Sequence, residues 1–166
     1  ENLIHTLDLA LPCSDFGNDY LKKKYPFAED KIKTARLGTI TKGKTPNSST
    51  DALKIVSCSR VTKVTRLDFL CQALSNISIP VEWTHIGDGY LFDEIKNLAA
   101  RFPKNVKSEF TGFVQSSEVL DIYLNKSFDL FINVSSLEGV PVAIMEALSA
   151  GIPVYAIHCF GGTQEI

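Results

Sequence analysis

From residue 53 onward the chain alternates short apolar runs with amphipathic stretches about every 25 residues, and this rhythm limits the fold more than any other feature. Residues 53–58 (Leu-Lys-Ile-Val-Ser-Cys) read as a buried strand. Residues 67–77 then place Leu67, Phe69, Leu70, Ala73, Leu74 and Ile77 at helical spacing. A second strand, 81–86, is ended by Gly87-Asp88-Gly89. Leu91, Ile95, Leu98 and Ala99 mark a second helix that closes before Pro103. The pattern continues through a short strand at 106–110 and a helix opened by Ser116-Ser117-Glu118. A strong strand at 128–134, a helix at 141–150 stopped by Gly151, and a strand at 153–157 complete it. Such a series builds β-α-β units with right-handed crossovers and a parallel sheet. The strands are apolar along their length, which suits a sheet covered on both faces. The expected fold class is therefore α/β, a Rossmann-like three-layer α/β/α arrangement. Ligands bind such sheets at the carboxyl ends of the strands. Here those ends feed loops 59–66, 87–90, 112–115, 135–140 and 158–163.

The first fifty residues differ in character. Residues 7–12 suit a strand, and 15–25 a helix whose Lys22-Lys23-Lys24 run reads as a solvated face. Residues 41–51 are polar, with Gly43 and Pro46, and read as a loop or linker. The division expected is 1–50, the end of a preceding domain with its linker, and 51–166, a ligand-binding domain cut short at its carboxyl end. The first residue is Glu1, so a piece of a longer chain is expected.

Several function classes fall away. A net charge of −2 offers no electrostatic case for nucleic acid or an anionic membrane. No apolar run approaches the roughly 20 residues that span a bilayer. The three histidines, His5, His85 and His158, lack metal-ligand spacing, and His85 reads as a satisfied histidine in a buried strand. Cys13, Cys58, Cys71 and Cys159 show no C-x-x-C pair and suit free thiols in a reducing compartment. Neither G-x-G-x-x-G nor G-x-x-x-x-G-K-[ST] occurs, which argues against a dehydrogenase or a P-loop nucleotidase.

Four groups of residues remain that suit chemistry. Glu138 and Glu146 stand eight positions apart, one in a loop and one in the helix after the strongest strand. Pro141 suits the first helical turn, and the N–H groups of Gly139, Val140 and Val142 are then free to meet a phosphate. Glu146 lies about 7.5 Å along the axis from Pro141, close to the length of a diphosphate. Glu138 could thus hold sugar hydroxyls and Glu146 ribose hydroxyls; the same letters equally suit a turn cap and a surface helix residue. The second group is the loop after the first strand, with Arg60, Lys63 and Arg66, which suits phosphate or is a solvated basic loop. The third is Gly87-Asp88-Gly89, a weak signal that also marks an ordinary tight turn. The fourth is Gly161-Gly162, whose amides suit an anion nest or a plain turn.

In this order the blocks resemble a known family. Glu138-Gly139 with Glu146-Ala147-Leu148-Ser149-Ala150-Gly151-Ile152-Pro153-Val154 is similar to the E-x₇-E signature of retaining GT-B glycosyltransferases, group 1 (family 4). Ser59-Arg60-Val61, Gly87-Asp88-Gly89-Tyr90-Leu91, Phe110-Thr111-Gly112-Phe113-Val114 and Gly161-Gly162-Thr163-Gln164-Glu165-Ile166 resemble further blocks of that family. The resemblance covers 53–166, and 20–38 more loosely. It implies a nucleotide-sugar-binding domain in which Glu138 faces the transferred sugar, with Gly139, Val140 and Pro141 along the sugar and diphosphate. Glu146 would bind ribose, Arg60 would stabilise the leaving diphosphate, and Val114 would offer backbone contacts to the base. Gly87, Lys63 and Arg66 complete the implied binding set. No metal or other cofactor is expected. The partners implied are a nucleoside-diphosphate sugar and an acceptor sugar or lipid-linked glycan held by a missing amino-terminal domain. The location implied is cytoplasmic, with the longer protein at most peripheral to a membrane.

One departure stands out. The family usually carries Lys then Gly five and six residues after the Arg; here these are Thr65 and Arg66. Lys63 or Arg66 would have to supply the lost cation. Competing readings are a sugar-nucleotide epimerase on the same fold and a non-catalytic nucleotide-binding or partner module. A donor domain without its acceptor domain is expected to bind nucleotide and to turn over poorly or not at all.

Overall fold

A computed structural model describes residues 2–166. Two helices come first, α1 (Asn2–Thr6) and α2 (Asp15–Lys24), followed by a 3-10 turn at Pro26–Lys31. The alternating series then runs β1 (Leu53–Cys58), α3 (Leu67–Ser75), β2 (Val81–Ile86), α4 (Phe92–Ala99), β3 (Val106–Phe110) and α5 (Ser116–Asn125). It continues with β4 (Leu130–Asn133), β5 (Leu137–Glu138), α6 (Val142–Ser149), β6 (Val154–Ala156) and β7 (Phe160–Gly161), and ends in a 3-10 turn at Gly162–Glu165.

Five strands form one sheet in the order β3-β2-β1-β4-β6, every neighbouring pair parallel. The pleat sends alternate side chains to opposite faces. On one face Ile55, Val81 and Trp83 pack with Leu67, Leu70 and Leu74 of α3 and Ile95 of α4. On the other, Val56, Ile86 and Phe131 pack with Val119, Leu120 and Tyr123 of α5 and with Ile144 and Ala147 of α6. The three-layer α/β/α architecture expected from the sequence is the one observed. Helices cover both faces because neighbouring positions, Ile55 and Val56, are both apolar and both buried.

After β3 the chain crosses to the far side of β1 and enters β4. The order of strands therefore reverses between β1 and β4, and a crevice opens outside their carboxyl ends. That one topological fact places loops 59–66 and 135–141 side by side.

Local chemistry accounts for the helix ends. The Ser14 hydroxyl caps α2 by accepting the Gly17 N–H at 3.0 Å, and Lys22, Lys23 and Lys24 fill its last turn, where cations suit the helix dipole. At α5 the Gln115 N–H donates to the Glu118 carboxylate at 3.1 Å.

Some boundaries differ from the sequence reading. Residues 7–12 are no strand; Ala10 makes a single parallel bridge to Ile32, and a short helix precedes it. The strand expected over 128–134 contracts to 130–133, because β1 pairs with it only at Leu130 and Phe131 and β6 only at residues 131–133. Helix α6 begins at Val142, one residue later than expected, with Pro141 in an extended conformation as its cap. The polar stretch 41–51 has no regular structure but is not free: the Thr45 N–H donates to the Ala150 carbonyl at 2.7 Å, and its hydroxyl accepts the Phe128 N–H at 3.2 Å.

Candidate functional site

The loops at the carboxyl ends of the strands are bonded to one another and form a continuous rim. Loops 59–66 and 87–90 are tied by the Val61 N–H to the Asp88 carbonyl at 3.0 Å and the Leu91 N–H to the Val61 carbonyl at 3.3 Å. The Lys63 N–H donates to the Tyr90 hydroxyl at 3.1 Å. Gly87 bridges to Gly112, joining the third loop. Across the switch point, the Ser136 N–H and hydroxyl both donate to the Val64 carbonyl, at 2.8 and 3.1 Å. The loop after β1 is thereby fixed to the segment that carries Glu138.

Glu138 sits in the two-residue strand β5, paired in parallel with β7, so that Glu138 faces Gly161. Its Oε1 accepts an N–H from the Asn133 side chain at 3.0 Å, while the Asn133 Oδ1 accepts the Ser135 N–H at 2.9 Å. The carboxylate is thus aimed from the end of β4. Gly161 must lack a side chain: its φ is +112°, and a Cβ would lie 1.6 Å from the Glu138 carbonyl oxygen. Gly87 is constrained in the same way, with φ +130° and the Ser59 carbonyl oxygen 2.1 Å from a notional Cβ.

Among the described residues the N–H groups of Gly139 and Val140 donate to no acceptor, and both precede the start of α6. A notional Cβ on Gly139 meets nothing within 4 Å, so its backbone faces open space. A helix start with open amides favours a phosphate. One turn into α6, Glu146 is half-buried, and burial pushes its carboxyl above the ordinary 4.5. It faces the Cys58 thiol at the end of β1. Burial first, and then the Glu146 charge, push that thiol up to about 11, against a lowering contact from the Tyr123 hydroxyl. Cys58 is therefore a thiol, not a thiolate, at neutral pH. All four cysteines are free.

The basic loop resolves into three different side chains. Arg60 is exposed, and its guanidinium has no hydrogen-bond partner among the described residues. Lys63 is likewise exposed and outside the ion pairs among those residues. Thr65 is folded into its own loop: its hydroxyl accepts the Thr62 N–H at 3.1 Å and lies 2.8 Å from the Arg60 carbonyl and 2.9 Å from the Thr62 carbonyl.

The family profile described as glycosyl transferases group 1 matches residues 39–166. The chain belongs to the group 1 glycosyltransferases. Among relatives of known name, WcaL of Escherichia coli K12, named for glycosyl transfer in colanic acid biosynthesis, is 27% identical over 164 residues, covering 93% of this chain and 40% of WcaL. Among solved structures, the apo form of the lipopolysaccharide outer core galactosyltransferase WaaB superposes with a TM-score of 0.76 at 19% identity, covering 95% of this chain and 45% of WaaB. The pneumococcal O-GlcNAc transferase GtfA, solved with UDP and GlcNAc, gives a TM-score of 0.72 at 17% identity over 95% of this chain and 31% of GtfA. The chain spans 40% of the length of WcaL. The likeness to the two solved structures is one of fold, the Rossmann-like parallel sheet of GT-B glycosyltransferases.

Seen as a group 1 glycosyltransferase domain, the departure at Thr65-Arg66 has a structural form. Arg66 holds φ +52°, the left-handed region that suits the glycine usual at this position. Its guanidinium lies 4.9 Å from the centroid of the Phe69 ring on α3, so it is packed against that helix. Lys63 and Arg60 remain as the unpaired cations of this loop. Val114 is half-buried, ahead of α5 and beyond the Gly87–Gly112 bridge. Pro141 is buried and caps α6.

Sequence reasoning missed two parts of the site. One is the β5–β7 pair, whose only trace is Gly161-Gly162. The other is Asn133, buried at 7% exposure in an otherwise apolar strand. Among the described residues no three His, Cys, Asp or Glu side chains gather as a metal site, and no helix is long and apolar enough to cross a membrane. A groove of about 490 Å³ lies at the opposite, amino-terminal end of β1 to β3. Its cations are spent on neighbours, Lys107 on Glu82, Lys126 on Glu109 and Lys54 on the Ser127 hydroxyl, and it lies away from the rim.

Proposed function

We propose that this domain binds the nucleoside-diphosphate sugar of a retaining glycosyltransferase. The sugar passes to an acceptor glycan or lipid-linked glycan held by another part of the protein. The observation that carries this reading is the bonded junction at the switch point, where Ser136 ties the loop of Arg60 and Lys63 to the Glu138 segment and the start of α6. The roles follow from charge and position. The open amides of Gly139 and Val140 and the α6 start accept the diphosphate. Arg60 and Lys63 oppose the charge that grows on the leaving group. Glu138, aimed by Asn133, takes hydroxyls of the transferred sugar, and Glu146 takes those of the ribose. Gly87 and Val114 line the approach to the base. With two free cations and a helix start on the diphosphate, the reaction is proposed to run without a metal.

The name of WcaL supports a role in polysaccharide or glycoconjugate assembly, and the UDP held by GtfA supports a nucleotide donor. The folding of Thr65 into its own loop favours one other reading, a binding module without turnover.

Calorimetric titration with UDP, GDP and ADP tests the site. Binding of one of them, weakened at least tenfold by Arg60→Ala, is the expected result. Binding of none would overturn the proposal. In a protein that also carries an acceptor domain, Glu138→Gln is expected to keep nucleotide affinity and lose transfer. Full transfer by that variant would overturn the role given to Glu138, and no transfer by the unaltered protein would leave the binding-module reading.

A further inference from the structure

Glu165 joins three segments that are far apart in sequence. Its Oε1 accepts the Phe16 N–H at 2.9 Å, and its Oε2 accepts the Asp15 N–H at 2.8 Å and the Arg36 guanidinium at 2.8 Å. Arg36 reaches Asp15 with its other nitrogen, and Asp15 accepts the Thr34 hydroxyl at 2.8 Å. The carboxylate therefore closes the amino terminus of α2 from 150 residues away. Its side chain is 17% exposed, against 53% and 57% for Arg36 and Asp15. The Phe16 and Asp15 amides and Arg36 hold its carboxyl below the ordinary carboxylate range.

The turn that carries Glu165 also supports Glu138. Gly161 pairs with Glu138, and the Gly162 N–H donates to the Gly139 carbonyl at 2.7 Å. Gly162 is wedged between segments: a notional Cβ would lie 3.0 Å from the Ser14 Cβ and 3.1 Å from the Val140 Cγ2. A cavity of about 90 Å³ beside this turn is lined by Arg36, Val140, Met145 and Glu165. The β5 segment has little support of its own, being two residues long.

We infer that Glu165 is a positioning residue for Glu138: by fastening α2 and Arg36 to the turn at 162–165, it fixes the backbone of Glu138 and Gly139 at the sugar end of the donor site. This rests on the donor-binding reading above. Arg60, Lys63 and Glu146 at the nucleotide end do not pass through the latch; of the diphosphate contacts only the amides beside Glu138 do. Loss of Glu165 therefore loosens the sugar end more than the nucleotide end.

The experiment compares the full chain with Glu165→Ala and Glu165→Gln, by amide hydrogen exchange and by titration with UDP and UDP-glucose. In Glu165→Ala the Phe16 and Gly162 amides are expected to exchange at least tenfold faster, with Val56 and Thr84 in β1 and β2 unchanged. UDP affinity falls less than UDP-glucose affinity, so that the affinity gained on adding the sugar falls at least fivefold. Glu165→Gln keeps one acceptor oxygen and gives an intermediate result. Unchanged exchange at Gly162, or an equal loss of UDP and UDP-glucose affinity, would overturn the inference. If the unaltered chain binds no UDP, GDP or ADP, the donor-binding reading falls and this inference falls with it. If it binds and Glu165→Ala behaves as the unaltered chain, only the inference falls.

Discussion

Acidification to pH 5 is expected to weaken the fold by about 2 kcal/mol through one side chain, His85. It lies in β2 with no exposed surface. Its Nδ1 is 2.9 Å from the Ser57 hydroxyl, and that hydroxyl accepts the Trp83 indole N–H at 2.9 Å. The single Ser57 proton is then directed at Nδ1, which leaves the imidazole hydrogen on Nε2. The Nε2 atom is buried without a hydrogen-bond partner among the described residues. Protonation would put a second hydrogen against the Ser57 donor and a charge in an apolar core. Burial lowers the imidazole from its ordinary 6.5 to about 4; the Ser59 backbone acts on the ring in the opposite sense without closing a hydrogen bond of ordinary geometry. The unfolded chain therefore binds a proton between pH 6.5 and 4 that the folded chain refuses, and stability falls as pH falls through that window. With these values the loss is about 2 kcal/mol between pH 7 and pH 5, approaching about 3 kcal/mol below pH 4. Glu146, raised by burial, works in the opposite direction at the acid end. The assay is urea unfolding at pH 7, 6 and 5, read by the fluorescence of Trp83, the chain's single tryptophan, itself buried beside Ser57. Replacement by His85→Gln lowers stability at pH 7 but should flatten the slope. A wild-type stability constant to within about 0.5 kcal/mol over this range, or a full slope in the Gln variant, would refute the reasoning.

Lys63→Ala should weaken nucleoside-diphosphate binding about tenfold, the worth of one charge-assisted contact, whereas Arg66→Ala should stay within twofold because its guanidinium packs on Phe69; calorimetry on both variants decides. For Gly161→Ala, a Cβ 1.6 Å from the Glu138 carbonyl at φ +112° forces β5 and β7 apart, and thermal melting should show a loss of at least about 2 kcal/mol. Glu146, with its carboxyl raised by burial, must be ionised to accept two ribose hydroxyls; nucleotide affinity should decline as pH falls towards 5, beginning above the range of an ordinary carboxylate, and Glu146→Gln should bind weakly with no such decline.

The parts of this fold that were legible in the sequence are those written in side-chain periodicity. Strands β1 and β2 fall at the bounds read from their largely apolar runs, because Pro80, Gly87 and the polar Ser59 end those runs abruptly, and β3 falls at its expected bounds although only its ends, Val106 and Phe110, are apolar. The alternation put the Arg60 and Glu138 loops at one edge of the sheet, but the reversal of strand order that sets them side by side is visible only in the structure. Contacts made by backbone groups are less visible. Strands β5 and β7 are each two residues long, too short for any period, and their pairing leaves one mark, a glycine where the Glu138 carbonyl needs the space. His85 shows the same division: a buried strand histidine was legible, and its Nδ1 is indeed bonded, but the Nε2 left without a partner has no mark in the sequence. Arg66 was read only as a charge. Its φ of +52° turns the chain into α3, and its guanidinium packs on Phe69. The family likeness and the local physics meet at this loop. The left-handed turn forms without a glycine, Thr65 closes the loop with its hydroxyl, and in the proposed donor site Arg60 and Lys63, the cations that the loop leaves unpaired, oppose the diphosphate.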